Sequence, residues 1–192
     1  MNKITKNEIT AVILAGGQAL RMNGEDKGLI VFRELPLITH VVNVTKPKVS
    51  QILISANRNF EEYANFGKVI SDDLEGYQGP LAGISKALKV CSTPYLLVLP
   101  CDSPLIDEAL IDSLIEKMEI SIVDICVAHD GTIMHATFAL MQTKLEKSLE
   151  GFLEEGGRKM ALWYRQQSLE RIDVSSHLEV LTNINRPKDF NL

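Results

Sequence analysis

Ala11-Val12-Ile13-Leu14-Ala15-Gly16-Gly17-Gln18-Ala19-Leu20-Arg21-Met22-Asn23-Gly24-Glu25-Asp26-Lys27-Gly28 is the stretch that decides how the chain folds. It opens with an uninterrupted apolar run, Ala11 to Ala15, of the kind found in strands buried on both faces. The run breaks into Gly16-Gly17, where the backbone can take positive φ and a ligand can approach with no Cβ in the way. Two cations follow, Arg21 and Lys27, with Gly24 between them. A buried strand entering a glycine turn with cations beyond it has the parts of a phosphate cradle: inward-facing amides, and positive charge within reach of the oxygens. The spacing matches neither Gly-x-x-x-x-Gly-Lys-Ser/Thr nor Gly-x-Gly-x-x-Gly. Taken alone, these residues suit a phosphate loop and a plain turn equally.

Outward from this stretch, apolar runs alternate with helical periodicity, the βαβ pattern. Strands are expected over 11–15, 51–56, 69–72, 95–99 and 169–174, with a short apolar piece over 29–32. Pro36 opens a helix with Leu37, Ile38, Val41, Val42 and Thr45 on one face, and Pro47 ends it. A short helix is expected over 60–66. Another, after Gly79-Pro80, aligns Leu81, Ile84, Leu88 and Cys91 on a buried stripe. Asp107 can cap a helix that buries Leu110, Ile111, Leu114, Ile115 and Met118. Strands over 123–128 and 134–141, joined at His129-Asp130-Gly131, read as a hairpin or a local excursion from parallel order. Thr143-Lys144-Leu145-Glu146 is a capping box for a helix burying Leu145, Leu149, Phe152 and Leu153. Gly156-Gly157 breaks it, and a helix resumes over 158–166. The expected fold is α/β and three-layered: a Rossmann-like, mostly parallel central sheet with helices on both faces.

A chain of 192 residues, 45% hydrophobic and 23% charged, is most simply one domain spanning 1–192, with 1–8 a flexible lead-in. Net charge is −5 and the pI is near 5.4, which argues against nucleic acid or an anionic membrane as partner. An anionic small molecule is still open, because local cations dominate within a Debye length of about 8 Å. Cys91, Cys101 and Cys126 are odd in number and show no C-x-x-C spacing, as in a reducing cytoplasm. Residues 1–10 lack a signal peptide's apolar core, and no apolar stretch reaches the roughly 18 residues of a membrane span. A cytoplasmic protein is expected.

In an open parallel sheet, ligands sit beyond the carboxyl ends of the strands. Three expected strands end in groups suited to a nucleotide: Gly16-Gly17, Asp72 and Asp102. Asp102, in Pro100-Cys101-Asp102-Ser103-Pro104, is placed for Mg²⁺, which takes one or two carboxylates and completes its shell with water and phosphate. The same residue suits a turn or a helix cap equally.

These residues together resemble the molybdenum cofactor guanylyltransferases. The likeness begins with Leu14-Ala15-Gly16-Gly17-x-x-x-Arg21-Met22-x-Gly24-x-Asp26-Lys27. It continues through Ser55-Ala56-Asn57-Arg58, Val69-Ile70-x-Asp72, Gly79-Pro80-Leu81-Ala82-Gly83, Pro100-Cys101-Asp102-x-Pro104 and Asn183-Ile184-Asn185. The resemblance implies a nucleotidyltransferase-type fold and transfer of GMP from GTP to molybdopterin. It implies that Leu14, Ala15, Gly16 and Gly17 meet the nucleotide, with Ser55, Asn57, Gly79, Pro80 and Gly83 around it. Arg21 and Lys27 would hold the triphosphate, Asp72 the base or ribose, Asp102 a Mg²⁺ ion, and Asn183 and Asn185 the pterin end. The catalytic set is then Lys27, Arg21 and Asp102. Asn23 departs from a usual Met-Gly-Gly, and Ser55 stands where Asn is frequent. The second glycine of Leu-Ala-Gly-Gly leans toward guanine, since cytidine-using relatives carry Leu-Ala-Ala-Gly. The rival readings are a CTP or sugar-phosphate transferase and a nucleotide-sensing module without turnover.

A phosphate nucleophile is ionised at neutral pH, so no catalytic histidine is required. His40 and His177 read as structural or solvated, and His135 as packing or a pocket contact. Cys101 reads as inert packing. Gly156-Gly157-Arg158-Lys159 serves either as a solvated turn or as a receiver of pterin phosphate. The sequence leaves the oligomeric state between a monomer and a weak homo-oligomer, with room for transient contact with molybdoenzymes or their chaperones.

Overall fold

A computed structural model describes residues 3–16, 26–71 and 79–184. Gly17, Arg21, Asn23, Asp72 and Asn185 lie outside the described residues. In chain order the elements are β1 (Ile9–Leu14), β2 (Val31–Phe32), β3 (Leu35–Pro36), α1 (Leu37–Thr45), β4 (Gln51–Ser55), α2 (Phe60–Tyr63) and β5 (Lys68–Ile70). They continue with α3 (Pro80–Val90), β6 (Tyr95–Pro100), α4 (Glu108–Ile120), β7 (Ile125–His129), β8 (Met134–Gln142), α5 (Glu146–Glu154), α6 (Met160–Tyr164) and β9 (Leu169–Asp173).

Seven strands form one sheet in the order β5-β4-β1-β6-β8-β7-β9. β1 pairs in parallel with β4 and β6, β5 with β4, and β9 with β7. β8 runs antiparallel to both its neighbours, so the pair around residues 129–134 is a hairpin inserted into an otherwise parallel sheet. β2 and β3 make a separate small ribbon, whose turn carries Arg33 and Glu34 at φ 46° and 70°.

The period-two alternation of buried strands assigns each side chain to a layer. Ala11, Ile13, Leu97, Leu99, Cys126 and Phe138 pack under α1 and α4. Val12, Leu53, Val98, Ile125, Ala139 and Met141 pack under α3, α5 and α6. Both faces of the sheet are therefore dry, which is why β1 and β6 read as unbroken apolar runs.

The start and stop residues explain the helices. α1 buries Leu37, Ile38, Val41, Val42 and Thr45, as the spacing predicts. Thr45 turns its hydroxyl back to Val41 O at 2.7 Å. Asp107 Oδ1 accepts from Leu110 N–H at 2.9 Å, so it caps α4 as expected. Gly79, at φ +76°, feeds Pro80 into the first turn of α3.

Three local expectations are corrected. Thr143 caps no helix: its hydroxyl donates to Thr93 O and Pro94 O, and a 3₁₀ turn leads into α5 with Leu145 at the N-cap. The carbonyls of the turn before β6 lie closer to that hydroxyl than the amides of α5 and take it. A capping box does occur at Thr5 and Glu8, in the segment expected as a flexible lead-in, where Ile4 is buried and its N–H donates to Glu119 Oε1 at 2.7 Å. Cys91 lies just past the α3 stripe and packs, only partly buried, against the same apolar layer. The helix ends at Val90, and Cys91 is half-buried beside Thr93. Among the described residues no helix is long and apolar enough to cross a membrane.

Leu97 lies in β6 with no exposed surface, inside the layer under α1 and α4. Leu97→Ala should lower the unfolding free energy by about 2–5 kcal/mol in chemical denaturation. A loss below about 1 kcal/mol would mean that this layer is not packed as described.

Candidate active site

The parallel register brings Leu14 level with Ser55 of β4 on one side and Pro100 of β6 on the other. Beyond that line the three chains stay joined. Ala15 N–H donates to Ser55 O at 2.8 Å, and Cys101 N–H donates to Leu14 O at 3.2 Å. These bonds commit Ala15 N–H and Leu14 O to the extended sheet. Gly16 follows at the carboxyl edge and is exposed.

Gly16 does not adopt a left-handed φ; what it provides is space. A Cβ there would meet Ser55 O at 3.6 Å and Asn57 Nδ2 at 3.9 Å, both ordinary contacts. Asn57 therefore stands beside Gly16. Gly83 is different. It brings α3 down onto the ends of β1 and β4, where a Cβ would overlap Ser55 Oγ and press on Leu14 Cδ2 at 3.3 Å. Ser55 is buried, and its side chain packs against this glycine. Gly79 and Pro80 begin α3 at the same edge and are exposed.

Asp102 follows β6 and is nearly buried, at 9% exposure. Lys27 Nζ, 75 residues away in sequence, lies 3.2 Å from its Oδ2. Asn183 Nδ2 donates to Oδ1 at 2.6 Å. Asp102 lies in the turn that follows β6, and its carboxylate is paired with Lys27 and Asn183. Ile184 N–H donates to Asp102 O at 2.8 Å, while the Ile184 side chain packs with Phe32 and Leu37. That small cluster, with Ile30 and Leu105 against it, holds Asn183 on the acid. Asn183, expected toward a pterin, is thus found on Asp102.

A second carboxylate, which sequence reasoning quoted but did not single out, lies next to Lys27. Asp26 Oδ1 accepts from the Tyr63 hydroxyl at 2.5 Å, and Oδ2 accepts from Arg58 Nε at 3.0 Å and Asn59 Nδ2 at 3.2 Å. A buried acid at this position leaves no local signal, because its partners come from the far end of β4 and from α2. Burial, then the neighbouring Cys101 and the bond to Asp26, push the Tyr63 pKa far above its ordinary value, so the hydroxyl stays a donor. Burial, with Asp102 and Asp26 nearby, raises the Cys101 thiol likewise and keeps it inert.

The histidines have local ties. His40 Nε2 donates to Phe32 O at 2.9 Å, and His177 lies between Asp107 and Glu179. His135 Nε2 meets Asp130 Oδ2 at 2.8 Å in the β7–β8 hairpin. The His135 bond, then the amides of Ile133 and Thr132, hold the Asp130 carboxyl well below the usual carboxylate range. Arg158 closes the end of α5 by donating to Leu153 O and Gly157 O, which gives Gly156–Lys159 a turn role. Beside it a cavity of about 170 Å³ between α3 and α5 has mixed charge, with Lys89 Nζ 2.7 Å from Glu150 Oε1.

Comparison with known proteins agrees with this fold. A family model described as "MobA-like NTP transferase domain" matches residues 11–171. Proteins named molybdenum cofactor guanylyltransferase from Shewanella sediminis and Shewanella putrefaciens are 42% and 43% identical over 182 and 178 residues. The alignments cover 94% and 92% of this chain, and 93% and 91% of those proteins. A solved molybdopterin-guanine dinucleotide biosynthesis protein A from Archaeoglobus fulgidus shares the fold at TM-score 0.78 and 20% identity, covering 95% of each chain. A 2-C-methyl-D-erythritol 4-phosphate cytidylyltransferase from Thermus thermophilus does so at 0.72 and 14%, covering 94% of each.

The two glycines make opposite demands on space. Gly83→Ala should cost about 1–3 kcal/mol of stability by forcing α3 off Ser55 and Leu14. Gly16→Ala should stay within about 0.5 kcal/mol of wild type. Equal losses in chemical denaturation would overturn the packing assigned to Gly83.

Proposed function

The chain belongs to the molybdenum cofactor guanylyltransferases, within the MobA-like NTP transferases, and from that membership we propose that it transfers GMP from GTP to the terminal phosphate of molybdenum-bearing molybdopterin, releasing pyrophosphate. The observation that carries this reading is the Lys27–Asp102 pair, set at the carboxyl edge directly beside the Leu14–Gly16 turn. A cation and an acid in one partly buried contact near an open glycine suit a bound polyphosphate and its counter-ion.

In this reading one nucleotidyltransferase domain spans the chain. The nucleotide lies over Gly16 and Gly17, with Asn57 at its side and Asp72, Gly79 and Pro80 around it. Ser55 and Gly83 form the wall behind. Lys27 exchanges Asp102 for the triphosphate, and Arg21 joins it. Asn185 faces the pterin, while Asn183 orients Asp102. An oxygen of the acceptor phosphate bonds to the α-phosphorus in line, and the bond from the α-phosphorus to the bridging oxygen breaks. The electron pair leaves with pyrophosphate. The acceptor is ionised at pH 7, with a second pKa of about 6, so no general base is needed. Catalysis is then positioning and charge stabilisation by Lys27, Arg21 and the turn amides.

Asp102 suits Mg²⁺. Each of its oxygens accepts one described donor and keeps a lone pair, and Mg²⁺ needs one or two carboxylates when phosphates and water complete its shell. No group of three or more His, Cys, Asp or Glu residues clusters among the described residues, which fits that sparse protein contribution. When bound, the ion would neutralise phosphate oxygens beside Asp102. The net charge of −5 and the absence of a membrane-length helix among the described residues favour a small-molecule enzyme of the cytoplasm.

Lys27→Ala should lower guanylyl transfer about 10²–10³-fold with an unchanged melting curve, as for removal of one transition-state donor. A rate within a few-fold of wild type takes Lys27 out of the mechanism. GTP with Mg²⁺ should raise the melting midpoint, while CTP at the same concentration leaves it in place. Equal shifts would remove the guanine assignment.

A further inference from the structure

Lys27 ends in a flexible four-carbon stem, so where its ammonium points depends on how firmly its backbone is held. The structure holds it from both sides with the same tyrosine. On one side, the buried Asp26 carboxylate accepts from the Tyr63 hydroxyl, Arg58 Nε and Asn59 Nδ2. Its side chain is 3% exposed. Asp26 O also accepts from Leu29 N–H at 3.0 Å, closing the 3₁₀ turn that Lys27 begins. On the other side Gly28 lies so close to Tyr63 and Cys101 that a Cβ would come within 2.6 Å of the Tyr63 hydroxyl and 3.3 Å of Cys101 Sγ. Tyr63 is itself fully buried.

This arrangement is an uneconomical way to stabilise a fold. An acid–guanidinium pair whose arginine side chain is 36% exposed adds little to stability. Asn59 reaches Asp26 from a left-handed backbone, φ 51° and ψ 42°, which a non-glycine residue adopts at a cost. The desolvated carboxylate belongs to the residue preceding Lys27, the left-handed backbone to the Asn59 that holds it, and Lys27 is the cation that meets Asp102.

We propose that Asp26, clamped by Tyr63, Arg58 and Asn59, is a positioning residue that aims Lys27 at the Asp102 edge of the site. The role rests on the reading in which Lys27 serves a phosphate-binding site. The clamp acts through Lys27 and touches no substrate. Because Arg58 and Asn59 follow β4 and Asn57 stands beside Gly16, the segment that borders the glycine turn also aims the lysine.

The test compares wild type with Tyr63→Phe and Asn59→Gly. The glycine variant keeps the left-handed backbone and removes only the amide donor, so it decides the matter should Tyr63→Phe not fold. Competitive acetylation with acetic anhydride, read by mass spectrometry, should label Lys27 about fivefold faster in the variants, the ratio expected for one lost hydrogen bond. Labelling of the exposed Lys46 should not change. In guanylyl transfer each variant should lower kcat by a similar factor, with KM for the acceptor unchanged. In a Lys27→Ala background the same substitutions should cost nothing further. Unchanged labelling of Lys27 in Asn59→Gly overturns the proposal, as does an equal loss of rate with and without Lys27. If wild type transfers no GMP, the proposed function falls, and the acetylation ratio still decides the clamp.

Discussion

The register of β1 between β4 and β6 is the constraint on which everything else rests. With Leu14 level with both Ser55 and Pro100, the residues that follow the three strands must emerge side by side. The main-chain bonds from Ala15 to Ser55 and from Cys101 to Leu14 carry that alignment past the end of the sheet. A shift of one residue in either pairing would turn Asp102 or Ser55 to the opposite face. The dry layers on both sides hold the register, because the side chains of β1 and β6 pack into apolar layers on both faces of the sheet.

Asp26 and Asp102 show how neighbouring acids can be given different work. Asp26 is surrounded by three donors fixed in the scaffold. Asp102 has a lysine on a flexible stem and an amide from a late segment of the chain. The first environment is permanent, while the second contains a partner able to leave. A carboxylate that must change partners during a reaction belongs in the second kind of setting.

Much of this was legible in the sequence, and the exceptions share a cause. The starts and most of the buried faces of α1 and α4 were readable, because Pro36 and Asp107 act on their immediate neighbours. The three-layer order followed from the apolar runs at Ala11–Ala15 and Tyr95–Leu99. That the residues after β1 and Asp102 after β6 leave the sheet on one edge was expected from the parallel order, since that is a property of topology. The Asp26 cluster was not legible, because Tyr63 and Arg58 reach it from elements whose periodicity reports burial and nothing of hydrogen bonding. Thr143 misled for the same reason. Its motif was local, but the competing carbonyls came from some fifty residues earlier. Asn183 was recognised as a site residue, yet its partner depended on Ile184 docking with Phe32 and Leu37.

The tie between Asn183 and Asp102 spans 81 residues, and Lys27 lies a further 75 toward the amino end. On the ribosome, β1 and the glycine turn emerge early, and the amide that steadies the acid emerges more than 150 residues after Lys27. A nascent chain halted before Asn183 holds the lysine and the acid without their third partner, so an abortive translation product has no finished site. Competence for nucleotide chemistry is thereby linked to synthesis of the polypeptide through Asn183.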